Sequence, residues 1–261
     1  MKYNNQKKTA ILIGTGPSLR EIDIKLLKDW DTMTFNRAYI AFEDWGFDPT
    51  YYVSIDSNDL RAMYKDINGI ITNSKIKYFF LADCQDNVFH SEIHFQNRKK
   101  VSAEDMFISQ PNVLSIRKSS HRFGNISFEP HTGGIDMHHY PNVGLVGLCI
   151  LRAMGYEEVA LIGCDARYRD DTESNKYIEV DGNEYHSTKD FDLNHFRNDY
   201  FGKGMRFGRP NEKQIIAMWN SIRPAIDALD NFEVYSCTPG SNLNESYTYI
   251  DFNKFLKGER N

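Results

Sequence analysis

The apolar run Ala10–Ile13 breaks into Gly14-Thr15-Gly16-Pro17-Ser18, and a charged stretch with helical periodicity follows. Strand, glycine turn and helix in that order begin a βα unit. They therefore point to a parallel sheet whose strands are joined by crossovers. Such a turn leaves backbone N–H groups at a helix start, where they and the helix dipole favour an anion such as a nucleotide phosphate. The two glycines permit a tight turn and close approach to a ligand. Pro17 suits a first helical turn, and Ser18 is placed to cap or to donate to a phosphate oxygen. Spacing alone leaves an ordinary strand-to-helix turn equally open, because the full G-x-G-x-x-G pattern and a Walker lysine are both missing.

The alternation recurs along the chain. Strand patterns stand at Thr32–Phe35, Tyr51–Ile55, Lys77–Leu81, Val113–Ile116, Val159–Ile162 and Glu233–Ser236. A helix is predicted over 18–28, with Leu19, Ile22, Leu26 and Leu27 on one face, and a short one capped by Asn58 or Asp59 runs to Tyr64. Val143–Tyr156 is apolar on every side, which reads as a central buried helix closing at Gly155. Ile215, Trp219, Ile222, Ile226 and Leu229 mark an amphipathic helix that Pro224 should kink. The segment 84–112 carries no clear pattern. Residues 166–210 are polar and aromatic with little periodicity, too long for a plain connection, and read as a lid. The expected architecture is a mostly parallel α/β sheet with helices on both faces. Residues 1–165 and 211–261 form its nucleotide-binding domain, and 166–210 the inserted lid or acceptor segment. Ligands of such sheets bind at the carboxyl ends of the strands. There the sequence sets Gly14-Thr15-Gly16, Asn36-Arg37, Asp56-Ser57-Asn58, Asp165 and Cys237-Thr238-Pro239-Gly240-Ser241.

At 261 residues the chain can bury a large core. A net charge of −5 argues against nucleic acid as a partner, and the pair Lys99-Lys100 does not alter that. The apolar runs are shorter than a membrane span, and Met1–Asn5 is polar, so a cytoplasmic protein is expected. Phe252, Phe255 and Leu256 with Lys254 and Lys257 offer a slight signal for peripheral contact with the inner face of the membrane. A homo-oligomer is left open. Cys84, Cys149, Cys164 and Cys237 are widely separated and three lie in apolar segments, as reduced thiols do. His131, His138 and His139 with Asp136 invite a metal site. Adjacent histidines without helical spacing seldom share one ion, so a loop is the preferred reading and no metal is expected.

Ile13-Gly14-Thr15-Gly16-Pro17-Ser18-Leu19 resembles the opening of the bacterial lipooligosaccharide sialyltransferases, glycosyltransferase family 42, and of the related motility-associated factor proteins (domain of unknown function 115). Phe35-Asn36-Arg37-Ala38-Tyr39, Asp56-Ser57, Asn142-Val143-Gly144, Gly163-Cys164-Asp165-Ala166-Arg167-Tyr168 and Cys237-Thr238-Pro239-Gly240-Ser241 are similar to later motifs of that family, in the same order. The resemblance implies a Rossmann-like sheet of the GT-A-variant type with a lid. It also implies a nucleotide-sugar donor, CMP-linked sialic acid or a related nonulosonic acid, and a cell-surface glycan acceptor, with no further cofactor. The donor site would comprise Gly14, Thr15, Gly16, Pro17, Ser18, Asn36, Arg37, Asp56, Ser57, Asn142, Gly144, Gly163, Asp165, Arg167, Tyr168, Pro239 and Ser241. His195 would be the base, a role imidazole suits near neutral pH, and Tyr200 would donate to the leaving phosphate. Arg37 and Arg167 depart from the family pattern and suit a donor with more negative charge. The wider group also resembles archaeal 6-hydroxymethylpterin diphosphokinases, so an ATP-dependent diphosphokinase needing Mg²⁺ is the alternative. A non-catalytic nucleotide- or glycan-binding module is the other.

Overall fold

The computed structural model describes residues 7–82, 106–119, 128–129, 134–138, 142–168, 177–179, 184–208 and 210–260. Its strands are β1 (Thr9–Ile13), β2 (Thr32–Phe35), β3 (Tyr51–Ser54), β4 (Tyr78–Ala82), β5 (Val113–Ser119), β6 (Phe128–Glu129), β7 (Gly134–His138), β8 (Glu158–Ile162), β9 (Tyr177–Glu179), β10 (Glu184–Ser187), β11 (Arg206–Gly208) and β12 (Glu233–Ser236). The helices are α1 (Phe42–Trp45), α2 (Ser57–Asn73), α3 (Val143–Ala153), α4 (Glu212–Asp227) and α5 (Phe252–Leu256). The fold is α/β and Rossmann-like, with mostly parallel strands as expected. The chain divides into two compact units, one of Met1–Trp30 with Gly155–Asn261 and one of Asp31–Met154.

In the first unit β12, β8 and β1 run parallel in that order, with Ile11 and Tyr235 both in register with Ala160. Ala10–Ile13 and Val159–Ile162 are wholly buried, as unbroken apolar strands of a parallel sheet should be. At the amino ends of these strands Glu158 is buried. Arg260 pairs with it through two 2.7 Å hydrogen bonds and lies over the Phe255 ring. Within 166–210 the described residues include a small antiparallel sheet, β9–β10–β11, in which Tyr185 faces Phe207.

In the second unit β2-β3-β4-β5-β7 are parallel and β6 closes the edge antiparallel. Helix α3 packs on β2 and β3, and its first turn is capped by Asn142, whose side chain accepts from the Leu145 N–H. Helix α2 runs nine residues past the predicted Tyr64 end, because Leu60, Met63, Ile67 and Ile71 continue one buried stripe.

Two expectations are corrected. No continuous helix follows the glycine turn: two 3₁₀ turns, Pro17–Glu21 and Ile24–Leu27, take its place. Ile22 between them is extended and Asp23 caps the second, and Leu26 is 47% exposed instead of joining a buried face. The predicted membrane-contact residues Phe252, Phe255 and Leu256 are buried in the first unit and only the lysines face solvent. Helix α4 continues through Pro224 to Asp227. Cys164 and Cys237 are buried free thiols and Cys149 is half-buried, while Cys84 lies outside the described residues. No helix among the described residues is long and apolar enough to cross a membrane.

Candidate functional site

The turn after β1 meets the turn after β8. Gly14 and Gly16 donate to the carbonyls of Ile162 and Gly163 at 2.7 and 2.8 Å. A Cβ on Gly14 would fall on the Gly163 carbonyl, and one on Gly16 on the Asp165 carboxylate. The glycines therefore serve an approach between two stretches of chain. Asp165 takes the place the sequence offered to a phosphate: its oxygens accept from the Ser18 N–H at 3.3 Å and the Ser18 hydroxyl at 2.7 Å. The N–H groups of Gly14, Gly16 and Ser18, expected to point outward, are thus engaged within the protein, and no α-helix dipole stands behind them. Burial raises the Asp165 carboxyl above the usual range, against the two Ser18 hydrogen bonds that lower it.

A pocket of about 380 Å³ opens beside this junction. Pro17, Ser18, Asp165, Arg167, Asn194 and Gly240 are among its walls. Arg167 is exposed and donates to Asn242 at 3.3 Å, so it brings a positive charge to the pocket. Pro239 also lines it, whereas Ser241 is buried behind, donating to the Cys164 carbonyl at 2.7 Å and capping the next turn. Tyr168 is tied through its N–H to Glu212 at 2.7 Å. Burial, then the charges of Asp165, Asp192 and Glu212, push its phenol up to about 12, which keeps its proton in place.

Leu193, Asn194, Arg20 and Glu21 also line the pocket; His195 follows Asn194 in the chain and is not among the lining residues. The His195 imidazole is mostly buried. Its Nδ1 lies 3.0 Å from Asp192, its face stacks on Tyr200 at 3.9 Å between ring centres, and Phe201 meets it edge-on at 4.9 Å. Tyr200, only 2% exposed, is thus brought to the imidazole and is not among the pocket's lining residues. Arg20 fastens the segment: it donates to the carbonyls of Asp192, His195 and Phe196 and to the Asn198 side chain at 2.7–3.0 Å. The Phe196 N–H in turn reaches the Thr15 carbonyl at 2.9 Å. Arg20, Asp192 and Asn194 escaped the sequence reading. The D-x-x-H spacing of Asp192 and His195 was a visible signal; nothing local marked Arg20.

The remaining candidates belong to the second unit. Asn36 sits at the end of β2 with φ +51°, held there by Tyr52 donating to its carbonyl at 2.6 Å and Ser54 to its side chain at 3.2 Å. Arg37 has its Nε buried with no hydrogen-bond partner among the described residues. Burial, then the neighbouring Asp56, push the Asp59 carboxyl up to about 7, against the pull of Arg37. Asn142 is spent as the cap of α3 and Gly144 is buried within it. The Ser57 side chain lies outside what is described, as do the imidazoles of His131, His138 and His139. Among the described residues no cluster of metal-ligating side chains forms.

These strand-end turns and the surrounding sheet coincide with a known family. A family model for 6-hydroxymethylpterin diphosphokinase MptE-like proteins matches residues 1–171. The chain belongs to this MptE-like family. The match includes the Gly14–Ser18 and Gly163–Tyr168 turns and ends before His195. Among solved structures, the MAf glycosyltransferase from Magnetospirillum magneticum AMB-1 is similar at 13% identity and a TM-score of 0.47, over 92% of this chain and 33% of that one. The chain thus spans about a third of that protein's length. No curated protein matches the sequence.

Proposed function

We propose that this MptE-like chain is a transferase that holds a nucleotide-activated donor in the pocket of its first unit and passes a group to an acceptor hydroxyl. The donor is a nucleotide sugar, a CMP-linked sialic or related nonulosonic acid, and the acceptor a cell-surface glycan on the cytoplasmic side. One observation carries this reading: the pocket that presents the Arg167 charge is walled by Asn194, whose neighbour in the chain, His195, has a mostly buried imidazole held in place by Asp192 and Tyr200. Arg167 balances the donor's phosphate. His195 removes the hydroxyl proton as the acceptor oxygen bonds to the sugar's anomeric carbon, and the bond to phosphate breaks with its electron pair leaving on the phosphate oxygen. No metal is needed for that sequence of events.

The family match over residues 1–171 favours a second reading, diphosphate transfer from ATP to a hydroxymethyl group, with Mg²⁺ neutralising the phosphates. The two separate in one assay. Purified full chain is offered CMP-N-acetylneuraminic acid with glycan acceptors in excess chelator, and ATP with 6-hydroxymethylpterin with and without Mg²⁺. Transfer or donor hydrolysis in chelator supports the first reading, and Mg²⁺-dependent consumption of ATP the second. His195→Ala should cut the active reaction roughly 100-fold or more; unchanged turnover removes His195 from the mechanism. A thermal-shift series with CMP, CDP, UDP, GDP and ATP tests the shared premise, since a bound ligand raises the melting point by mass action. Binding with no turnover on any acceptor would make the chain a binding module.

A further inference from the structure

We propose that Asp192 is the positioning residue of His195, holding its imidazole as the Nδ1–H tautomer so that Nε2 is the atom that accepts a proton. The proposal rests on the reading of His195 as the base. Asp192 is fully buried, and an ionised carboxylate only accepts hydrogen bonds. Its Oδ1 accepts from the Asn194 N–H at 2.8 Å and its Oδ2 from the Phe201 N–H at 3.3 Å. These backbone donors fix where the carboxylate points. Its contact with His195 Nδ1, at 3.0 Å from the same Oδ2, must then be a donation from the ring. The stacked Tyr200 and the edge-on Phe201 set the plane of the imidazole, so the tautomer also sets the direction of Nε2. Among the described residues no group bonds to Nε2. The backbone of both residues is pinned by one guanidinium, since Arg20 Nη2 donates to the carbonyls of Asp192 and His195 at 2.7 Å each. A neutral imidazole with a proton on Nδ1 and a lone pair on Nε2 is the form a general base requires.

Nitrogen-resolved NMR of the full chain labelled in its histidines reads the tautomer directly at a pH where titration shows the ring neutral. The wild type should show His195 as Nδ1–H. Asp192→Asn keeps an acceptor for the Asn194 N–H but turns an N–H₂ toward the ring and the Phe201 N–H. It should move His195 to the Nε2–H form and lower kcat roughly 1,000-fold with KM nearly unchanged. Asp192→Glu keeps the carboxylate and should keep the Nδ1–H form with partial activity. That variant and the wild-type spectrum decide the matter should Asp192→Asn fail to fold. A wild-type ring in the Nε2–H form, or an Asp192→Asn ring unchanged in tautomer, overturns the role of Asp192 even if His195→Ala is inactive. A fully active His195→Ala overturns the base itself, whatever the spectrum shows.

Discussion

The two units place polar side chains at the ends of parallel strands, yet they do not satisfy them equally. In the first, nearly every such group has a named partner: Asp165 takes Ser18, Asp192 takes His195, Ser241 takes the Cys164 carbonyl, and at the other end of the strands Glu158 takes Arg260. In the second, Arg37 keeps a buried Nε without a hydrogen bond among the described residues, and Asp59 sits beside Asp56 with its carboxyl pushed up to about 7. A polar group desolvated with its partner costs little net, while one desolvated without a full set costs stability. The first unit is therefore expected to lose stability when its polar groups are altered, and the second to gain it.

The largest expected effect is at Arg260. Arg260→Ala strands the buried Glu158 carboxylate and should cost about 3–4 kcal/mol in urea unfolding; a loss below about 1 kcal/mol would mean water reaches that carboxylate. Gly16→Ala comes next, at about 2–3 kcal/mol, because the new methyl must displace Asp165 from Ser18. In the second unit the sign reverses. Asp59 binds its proton more tightly when folded than when unfolded, so its contribution falls as pH rises from about 4 to about 7 and stays low above that. Asp59→Asn should melt higher than wild type at pH 8 by about 2 kcal/mol of stability, with the difference fading toward pH 4. A variant less stable at pH 8 would break the contrast between the units. The smallest effect sharpens it: Gly69 in α2 has open space where a Cβ would stand, and Gly69→Ala should add about 0.5–1 kcal/mol.

Much of the fold was legible because its strands are short apolar runs bounded by polar or glycine turns. Thr32–Phe35 and Glu233–Ser236 match the predicted bounds, and α3 starts at the predicted Val143. The misses share a cause. Leu19, Ile22, Leu26 and Leu27 have helical spacing, but spacing does not say whether a second surface exists to bury the face, and here Leu26 is exposed. Helix α2 erred the other way, since Ile67 and Ile71 extend the stripe past the polar Lys65 and Asp66. Of the candidate site, the residue types at the strand ends were readable and their occupation was not.

The sequence by itself determined the alternating elements and the parallel sheet, because hydrophobic periodicity and turn residues act over a few neighbours and need nothing distant to be read. Of the families it resembles, the 6-hydroxymethylpterin diphosphokinase group is matched and the family 42 sialyltransferases are not. Only the tertiary structure decided what each strand-end group does. Gly16 and Asp165 lie far apart in the chain and meet because β1 and β8 are adjacent strands in parallel register, and that meeting fills the turn with the protein's own carboxylate. Arg20 reaches Asp192 and His195 across an interval of more than 170 residues. Hydrogen bonds between such distant groups follow from strand order and close packing, and neither leaves a mark in local sequence.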